Sequence, residues 1–407
     1  MNKLKICVIE PNLRSITGHV YTVMKEFQKY FQGVNNNQIQ GIMCSHIDIM
    51  ESVRREIPDL VPIATVSCFQ PGANPDNVEE YLSRVIKIFD LTMNDVIIMP
   101  TAHINEIEAV KRLSTKNKVP KFLLQIHQFF PPFNNADIIL DNNIGNEISR
   151  KFLRAFDKLN WECVNVATTE APALHESLSI ISNKDLPTLS VPFNTEQMLL
   201  RMNQAVKKPT RLGFFGDGRK EKGLLQLVYF LRKLNYDFGL TYYLNVQPLR
   251  CFSSSETEFL KMMLIELNNA ADVEIEYGEL DESVYYERLA SCDIVVLPYH
   301  PSHYKIRCSG IAIECAAMAI PVLISNGTSV ADEIKDGRRS GIIFNFSADP
   351  NQFNSYFEEG LRNMLVSYKE HKIFAIKKSS GYQQRSRIHY YVQSCLETIG
   401  VSHVGFN

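Results

Sequence analysis

The chain has 407 residues, a hydrophobic fraction of 45% and a formal net charge of -2. A single hydrophobic core stops growing at about 250–300 residues, so this length predicts two domains. The near-neutral charge argues against a nucleic-acid-binding protein that relies on its overall charge.

Nine cysteines are scattered through the chain, and no two of them are spaced as Cys-x-x-Cys. This pattern predicts neither a disulfide framework nor a zinc site, and it favours a reducing compartment. No run of about 18 apolar residues is present, and the apolar run near the N-terminus stops at Glu10, too early for a signal peptide. We therefore expect a cytoplasmic protein, for which peripheral association with a membrane surface stays open.

The N-terminal half alternates predicted strands with predicted helices. The first strand, residues 4–9, is followed by a loop and by a helix that begins at Gly18-His19. Further strands are predicted at residues 40–44, 63–68, 96–99, 122–126 and 163–167, with helices at, for example, 77–89 and 104–113. This alternation indicates a mostly parallel sheet with helices on both faces.

A domain joint is predicted at residues 186–210, where several prolines interrupt the pattern, and the alternation then restarts. The C-terminal half has predicted strands at 211–215, 240–244, 273–277, 294–298 and 341–344 and helices at 224–234, 256–268, 283–290, 353–368 and 382–396. We place two Rossmann-like domains at residues 1–190 and 191–379. No G-x-G-x-x-G motif follows the first strand, which disfavours a dinucleotide-binding oxidoreductase.

The stretch from Arg307 to Ile324 is predicted to form a loop, a helix, a tight turn and a buried strand. Positive charge at Lys305 and Arg307 precedes the helix, whose free backbone N–H groups suit an anionic ligand. Glu314 is the single charge of this apolar helix, and a buried carboxylate needs a partner. The pattern fits a phosphate at the helix start and a sugar hydroxyl at Glu314. An ordinary helix whose Glu314 faces solvent fits these residues equally well.

A second loop, residues 214–223, lies between a predicted strand and an apolar helix. Its glycines let the backbone approach a ligand, and Arg219 and Lys222, three positions apart, can face one anion. Two cations facing a pyrophosphate would neutralise a departing nucleoside diphosphate. A solvated charged turn is the alternative. The loop lacks the Gly-Lys-Ser/Thr of a Walker A motif, which disfavours ATP hydrolysis.

Three further loops carry single candidate residues. Gly18 and His19 open a helix, although a plain turn glycine explains Gly18 as well. His127 follows a predicted strand, at the end where catalytic groups of such sheets lie, and a structural histidine is the alternative. Tyr304 can stack on a base, line a sugar pocket or pack within its loop. The histidines are dispersed and suggest no metal site, so neither a metal nor another cofactor is expected.

Together these motifs resemble the C-terminal domain of retaining GT-B glycosyltransferases of the glycosyltransferase group 1 type. The resemblance at motif level covers about residues 213–336 and is carried by Phe215-Gly216, Arg219, Lys222-Gly223, Tyr304, Arg307-Cys308-Ser309-Gly310, Glu314 and residues 319–322. It implies a GT-B fold, in which two α/β Rossmann-like domains face each other across a cleft with mostly parallel sheets. It also implies that a C-terminal helix, about residues 380–407, packs back on the N-terminal domain.

The resemblance also implies roles for single residues. Arg219 and Lys222 would hold the donor diphosphate and would act in catalysis together with His127, near the transferred sugar. The substrate-binding residues would be Gly18, His19, Tyr304, Arg307, Ser309, Gly310 and Glu314. Among them, Glu314 would bind the ribose of the nucleotide, and Ser309 and Gly310 would contact the phosphates.

Two positions depart from the family pattern. Members of the family commonly carry a glutamate eight residues before the position of Glu314, where it contacts the donor sugar, and this chain has Ile306 there. Asp217 stands where many members have an arginine, and Arg219 is the expected substitute. Ile306 therefore puts the identity of the donor sugar, and activity itself, in question.

The leading hypothesis is transfer of a hexose from a nucleoside diphosphate sugar, such as a UDP- or GDP-sugar, with retention of configuration. The acceptor would be a glycan, a lipid or a protein in carbohydrate biosynthesis, and no nucleic acid would take part. No carboxylate nucleophile emerges, which favours front-face attack, and no metal is required if two cations neutralise the diphosphate. A non-catalytic nucleotide-binding protein and a sugar-nucleotide epimerase, both with the GT-B fold, are the alternatives.

Overall fold

The computed structural model describes residues 3–16, 18–34, 38–67, 70–116, 118–127, 142–216, 218–234, 237–250 and 252–401, without the side chains of residues 142–146 and 250. The described residues form two compact units. The N-terminal unit contains residues up to Asn194 together with those from Arg385 onward, and the C-terminal unit runs from Thr195 to Gln384. Each unit contains one six-stranded sheet.

The N-terminal unit is built from alternating strands and helices. In chain order these are β1 (Leu4–Glu10), α1 (Gly18–Gly33), β2 (Ile39–His46), α2 (Glu51–Glu56), β3 (Leu60–Ala64), α3 (Pro75–Ile88), β4 (Val96–Ala102), α4 (Ile104–Ser114), β5 (Lys121–Ile126), α5 (Asn142–Phe156), β6 (Val164–Thr168) and α6 (Pro172–Ser182). The sheet order is β3-β2-β1-β4-β5-β6, with all pairs parallel. The order reverses between β1 and β4, and ligands of such sheets bind beyond the carboxyl ends of strands at this point.

The C-terminal unit repeats the same architecture. Its elements are α7 (Thr195–Arg201), β7 (Arg211–Phe214), β8 (Gly218–Arg219), a 3-10 turn (Lys220–Lys222), α8 (Leu224–Arg232), β9 (Thr241–Val246), β10 (Leu249–Arg250), α9 (Ser254–Leu267), β11 (Val273–Tyr277), α10 (Glu282–Ser291), β12 (Ile294–Leu297), α11 (Pro301–Tyr304), α12 (Gly310–Ala317), β13 (Val322–Ser325), α13 (Ser329–Lys335), β14 (Gly341–Phe344) and α14 (Pro350–Arg385). The parallel sheet order is β11-β9-β7-β12-β13-β14, which reverses between β7 and β12. The short strands β8 and β10 form a separate parallel pair.

The predicted α/β architecture with two mostly parallel sheets is confirmed, and three predicted elements are wrong in extent. The helix predicted at residues 353–368 continues to Arg385, and the helix predicted at 382–396 is interrupted, because α15 (Ile388–Thr398) begins after a break. The strand predicted at 63–68 is β3 at Leu60–Ala64, and residue 68 lies outside the described residues. Pro62 is tolerated there because β3 is an edge strand, where a missing N–H leaves no partner unpaired.

Helix α14 continues past its apolar stripe because polar side chains take over its buried face. The Lys372 ammonium donates to the carbonyl oxygen of Ala319 at 2.8 Å, and Gln383 donates to that of Ala317, also at 2.8 Å. These carbonyls close the end of α12, so α14 satisfies acceptors that the helix leaves unpaired. Within the described part of the chain, no helix is both long and apolar enough to cross a membrane.

Helix α15 belongs to the N-terminal unit. Its buried face consists of Ile388, Tyr391, Val392, Cys395 and Leu396. The Tyr391 hydroxyl donates to the side-chain oxygen of Gln125 in β5 at 2.6 Å, and the Lys121 ammonium donates to the carbonyl oxygen of Ile399 at 3.0 Å. Helix α15 is thus tied to β5 by hydrogen bonds, and its Tyr391 ring packs against Phe27 of α1, with ring centroids 5.8 Å apart.

Gly223 brings the loop after β7 against the loop after β12. Its φ is +75°, and a Cβ atom at this position would lie 1.9 Å from the carbonyl oxygen of Pro298. The backbone N–H of His300 also donates to the carbonyl oxygen of Glu221 at 2.8 Å. No side chain fits between these two segments, so glycine is required at position 223 by both conformation and space.

We expect Gly223→Ala to destabilise the C-terminal unit much more than Gly239→Ala does. Gly239 also has a positive φ of +65°, but its added Cβ would meet only the Lys208 ammonium nitrogen, at 3.8 Å. Gly239→Ala should therefore cost about 1–2 kcal/mol for the left-handed conformation alone. Gly223→Ala should cost at least a further 1–3 kcal/mol, roughly, from displaced backbone.

Urea unfolding followed by far-UV circular dichroism measures both free energies of unfolding. Equal losses of stability in the two variants would show that the approach of Gly223 to Pro298 does not constrain these loops.

Candidate functional site

The two cationic motifs of the sequence meet at the carboxyl ends of β7 and β12. Gly216, with a φ of +113°, has the Lys222 ammonium beside its Cα, since an added Cβ would lie 2.4 Å from that nitrogen. The same Cβ would lie 2.8 Å from the Cδ1 atom of Ile311, in the first turn of α12. The loop after β7 therefore places a lysine next to the start of α12.

A buried carboxylate holds the two arginines of this region. One oxygen of Glu221 lies 3.2 Å from the Arg219 guanidinium and 3.3 Å from that of Arg307. Burial raises the pKa of Glu221, but Arg219 and Arg307 outweigh this effect and hold the pKa below its usual value. Arg307, at 6% exposure, lies beneath the loop, whereas Arg219 stays partly exposed beside it.

Tyr304 and Ser309 connect the loop after β12 to the start of α12. The rings of Tyr299 and Tyr304 stack with their centroids 3.9 Å apart, and the Arg219 guanidinium lies 3.5 Å from the Tyr304 hydroxyl. The hydroxyl of Tyr299 is hydrogen-bonded to that of Ser309, at 3.1 Å. Ser309 caps α12 by accepting from the N–H of Ala312, so the serine hydroxyl is fixed on the helix axis.

Glu314 is buried inside α12 and has partners within the protein. The hydroxyl of Tyr285 donates to one carboxylate oxygen at 2.5 Å, and that of Tyr286 donates to the other at 3.2 Å. Burial raises the pKa of Glu314 to about 7, although both tyrosines and Lys222 oppose this shift. With 7% exposure, the side chain does not face solvent, which excludes the ordinary exposed position that its sequence also allowed.

Sequence reasoning missed the residues that hold these groups in place. Glu221 lies within the loop at residues 214–223, and the pattern of glycines and cations there does not predict its pairing with the arginines. Tyr285 and Tyr286 lie on α10, remote from either motif, and no pattern in the sequence pairs them with Glu314. His303 in α11 is 4% exposed, and burial lowers its pKa to about 4, so it is neutral beside Glu221.

The remaining predicted residues lie in the N-terminal unit, near the ends of β1 and β5. Gly18 and His19 begin α1 on the surface, Gly18 with a φ of +80°. The rings of His19 and His127 are 5.8 Å apart. The Nε2 atom of His127 donates to the carbonyl oxygen of Pro100 at 2.6 Å, and burial lowers its pKa to about 3. His127 is therefore a neutral imidazole with its Nδ1 lone pair left as an acceptor.

Ile306 is half-buried in the loop after β12, so no carboxylate occupies the position of the missing glutamate. Gly310 is the first residue of α12, directly after the capping serine. Asp217 and residues 128–132 lie outside the described residues.

No protein-family model and no curated protein matches the sequence, whereas solved structures match its fold. A glycosyltransferase from Rickettsia africae is similar in structure, with a TM-score of 0.65 at 14% sequence identity. The match covers 99% of this chain and 100% of the Rickettsia chain. Anabaena Alr3699/HepE in complex with UDP has a TM-score of 0.65 at 12% identity, covering 98% of this chain and 100% of its own. The fold is GT-B.

A third GT-B protein is equally distant in sequence. The catalytic domain of starch synthase IV from Arabidopsis thaliana, bound to ADP and acarbose, has a TM-score of 0.61 at 10% identity, covering 98% of this chain and 100% of its own. The resemblance inferred from the motifs is thus confirmed at the level of the fold. Identities this low leave the reaction and the site residues as proposals.

We predict that Glu314 makes the stability of the wild type depend on pH in a way that Glu314→Gln abolishes. The pKa of Glu314 is about 7 in the folded protein and about 4.5 when unfolded, so folding favours the protonated carboxyl. This stabilisation is complete below pH 4.5 and is lost as pH rises to 7, amounting to at most about 3 kcal/mol.

Urea unfolding at pH 5 and pH 8 checks this difference between the wild type and Glu314→Gln. Tyr285→Phe removes a donor that favours the ionised form, so its loss of stability should extend to higher pH. The same pH dependence in the wild type and Glu314→Gln would show that Glu314 does not titrate in this range.

Proposed function

We propose that the chain is a glycosyltransferase that transfers a sugar from a nucleoside diphosphate sugar to an acceptor. One observation carries the proposal: the Lys222 loop meets the start of α12 where the strand order of the C-terminal sheet reverses. A lysine, a partly exposed arginine and the N-terminus of a helix together suit a diphosphate. The UDP complex of HepE and the ADP complex of starch synthase IV, two proteins of the same fold, support a nucleotide as the ligand.

The diphosphate is the leaving group, and its negative charge grows as the bond to the sugar breaks. Lys222 and Arg219 would meet this charge, and the N–H groups at the start of α12 would add donors; the contacts of Lys222 with Gly216 and of Arg219 with Tyr304 support this assignment. Such groups accelerate transfer because they bind the developing charge more tightly than the intact donor. Two protein cations supply this neutralisation without a metal ion.

Glu221 sets how strongly the arginines act. Its carboxylate pairs with both Arg219 and Arg307, and this fixes both guanidinium groups while offsetting part of their charge. Arg307 is buried in this pair, so we assign it the role of positioning the loop. Arg219, also in contact with Tyr304, is the arginine that would touch the diphosphate.

The ribose would bind at Glu314. Tyr285 and Tyr286 donate to the two oxygens of this buried carboxylate. A ribose hydroxyl would replace the short bond from Tyr285 or share its oxygen, since each carboxylate oxygen accepts more than one donor. The pKa of Glu314 is about 7, so the carboxylate is ionised above neutral pH. A hydrogen bond to the ionised form is stronger than one between neutral groups, which favours a nucleoside over a free phosphate.

Donor preference and stereochemistry are the finer parts of the proposal. The UDP-glucose complex of HepE, a protein with a TM-score of 0.63 to this chain, makes a UDP-hexose the first donor to test. Ile306 removes a carboxylate contact with the sugar, so the donor sugar would be held by other groups. His127 is neutral, and its Nδ1 lone pair would accept a hydrogen bond from a sugar hydroxyl. Front-face transfer with retention is proposed because the motifs offer no carboxylate nucleophile.

The activity test is nucleotide release from UDP-, GDP- and ADP-sugars in the presence of glycan acceptors. Lys222→Ala should lower kcat/KM about 10²–10³-fold, as loss of a group that stabilises the transition state does. Lys220→Ala is the matched control, because Lys220 lies in the same turn but pairs with Glu256 on the surface at 2.7 Å. Equal turnover by the wild type and Lys222→Ala would rule out the proposed diphosphate site.

Retention is tested by proton NMR of the first product formed from an α-linked donor. We expect the product to appear as the α anomer before any equilibration, because front-face attack keeps the new bond on the side of the leaving group. A β-linked first product would show inversion and would remove front-face transfer, while leaving the proposed donor site intact.

Ile306 favours a second candidate function, nucleotide binding without transfer. This alternative predicts that UDP binds wild type with Glu314-dependent affinity, whereas no donor and acceptor pair gives turnover. Isothermal titration calorimetry with UDP, alongside the release assay, separates the two functions.

A further inference from the structure

An open surface pocket of about 350 Å³, with Asn326, Asn345 and Gln352 as exposed lining residues, lies in the C-terminal unit beyond the ends of β13 and β14. Its volume is at the lower end of the range of about 300–1,000 Å³ typical of small-molecule sites. Its walls are formed mainly by Asn326, Asn345, Phe346, Ser347, Gln352 and Tyr356. We call it the amide pocket. These six side chains lie outside the loop at residues 214–223 and outside α12.

The lining of the amide pocket is polar, uncharged and aromatic. Three amide side chains and one serine hydroxyl provide hydrogen-bond donors and acceptors, and no carboxylate, lysine or arginine is among the described residues that line it. Phe346 and Tyr356 provide ring faces. Lys335 stands beside Asn326 and is paired there with Asp332, at 3.4 Å, so its charge is offset. An apolar ligand would leave the amides unpaired. Sugar rings match both features, because they carry neutral hydroxyl groups around their edge and C–H groups on their faces.

The amide groups are oriented by the protein, with nitrogen donors left over. The Oδ1 atom of Asn326 accepts from the N–H of Gly327 and from Lys335, and its amide nitrogen donates to Asn345 at 3.3 Å. Among the described residues, the amide nitrogen of Asn345 has no protein partner. Such preorientation lowers the entropic cost of binding.

Gln352 is fixed in the same way at the start of α14. Its side-chain oxygen accepts from the hydroxyl of Ser347 at 3.1 Å, and its backbone N–H donates to the capping Asp349 at 3.0 Å. The amide nitrogen of Gln352 has no acceptor within the described part of the chain. The NH₂ groups of Asn345 and Gln352 can thus donate to neutral acceptors such as sugar hydroxyls.

The short helix α11 connects the amide pocket to Arg219 of the loop after β7. Pro301 at the start of α11 lines the pocket, and Tyr304 at its end contacts Arg219. The ring centroids of Phe346 and His300 lie 4.9 Å apart. The backbone N–H of His300 donates to the backbone carbonyl oxygen of Glu221. A ligand in the pocket would therefore contact the first residue of α11, whose last residue contacts Arg219.

We propose that the amide pocket binds a neutral saccharide, a unit of the acceptor or product glycan held apart from the reacting end. This role rests on the proposed transferase function, since the bound unit would retain a glycan near the enzyme between transfers. The saccharide chemistry itself is carried by the pocket alone.

Saturation-transfer difference NMR tests the pocket with methyl glycosides of glucose, galactose, mannose and N-acetylglucosamine and with their disaccharides. At least one should bind the wild type, and Asn345→Ala with Gln352→Ala should weaken it about tenfold or more, since two hydrogen bonds are lost. Asn351→Ala is the matched control: an exposed amide on the same turn of α14 that does not line the pocket. Tyr356→Phe should retain binding and Tyr356→Ala should lose it, because the ring remains only in the first.

UDP binding, measured on the same variants, separates this inference from the proposed function. If UDP binds equally to all variants and the saccharide is lost only from the pocket variants, both proposals stand. If the saccharide binds but UDP does not, the pocket stands and the donor site fails. Equal saccharide binding by the wild type and the double variant, or no binding of any probe to the wild type, overturns the inference.

Discussion

The close approach of Gly223 to the carbonyl oxygen of Pro298 is the constraint on which the C-terminal site depends. It leaves no room for a side chain between the loops that follow β7 and β12. Because the loops touch there, the Lys222 ammonium comes to lie against Gly216 and beside the first turn of α12. A lysine and a helix start that are far apart in sequence thereby lie side by side.

Burial determines the charge states around this surface. Glu221 stays ionised because two arginines surround it, whereas burial brings the pKa of Glu314 to about 7 despite two tyrosine hydroxyls. The difference follows from the partners, since a guanidinium opposes desolvation with a full charge and a hydroxyl with a dipole only. The two buried glutamates therefore differ in what they do. Glu221 fixes two arginines, and Glu314 accepts hydrogen bonds from two tyrosine hydroxyls as a titrating group.

Much of the fold followed from the sequence, and so did the proposed donor loops. The strict alternation of short apolar strands with helices predicts two parallel sheets. Glycines next to cations indicate residues 214–223 and the stretch from Arg307 onward as candidate anion-binding loops. The length of α14 could not be predicted in this way. Its buried stripe changes from Phe353 and Leu361 to Lys372, Ser379 and Gln383, so an apolar pattern ends while the helix continues. Polar residues become buried there only because carbonyls of another element accept their hydrogen bonds.

By itself, the sequence determined the fold class, the loops that carry charge and the position of a lone carboxylate in an apolar helix, because these depend on local pattern. Tertiary structure alone decided which groups became partners. It placed Tyr285 and Tyr286 on Glu314, buried Arg307 under Glu221, and assembled the amide pocket from the ends of two strands and the start of α14. Partners of this kind are set by the packing of segments that are distant in sequence, and the spacing of residues along the chain does not show which segments pack together.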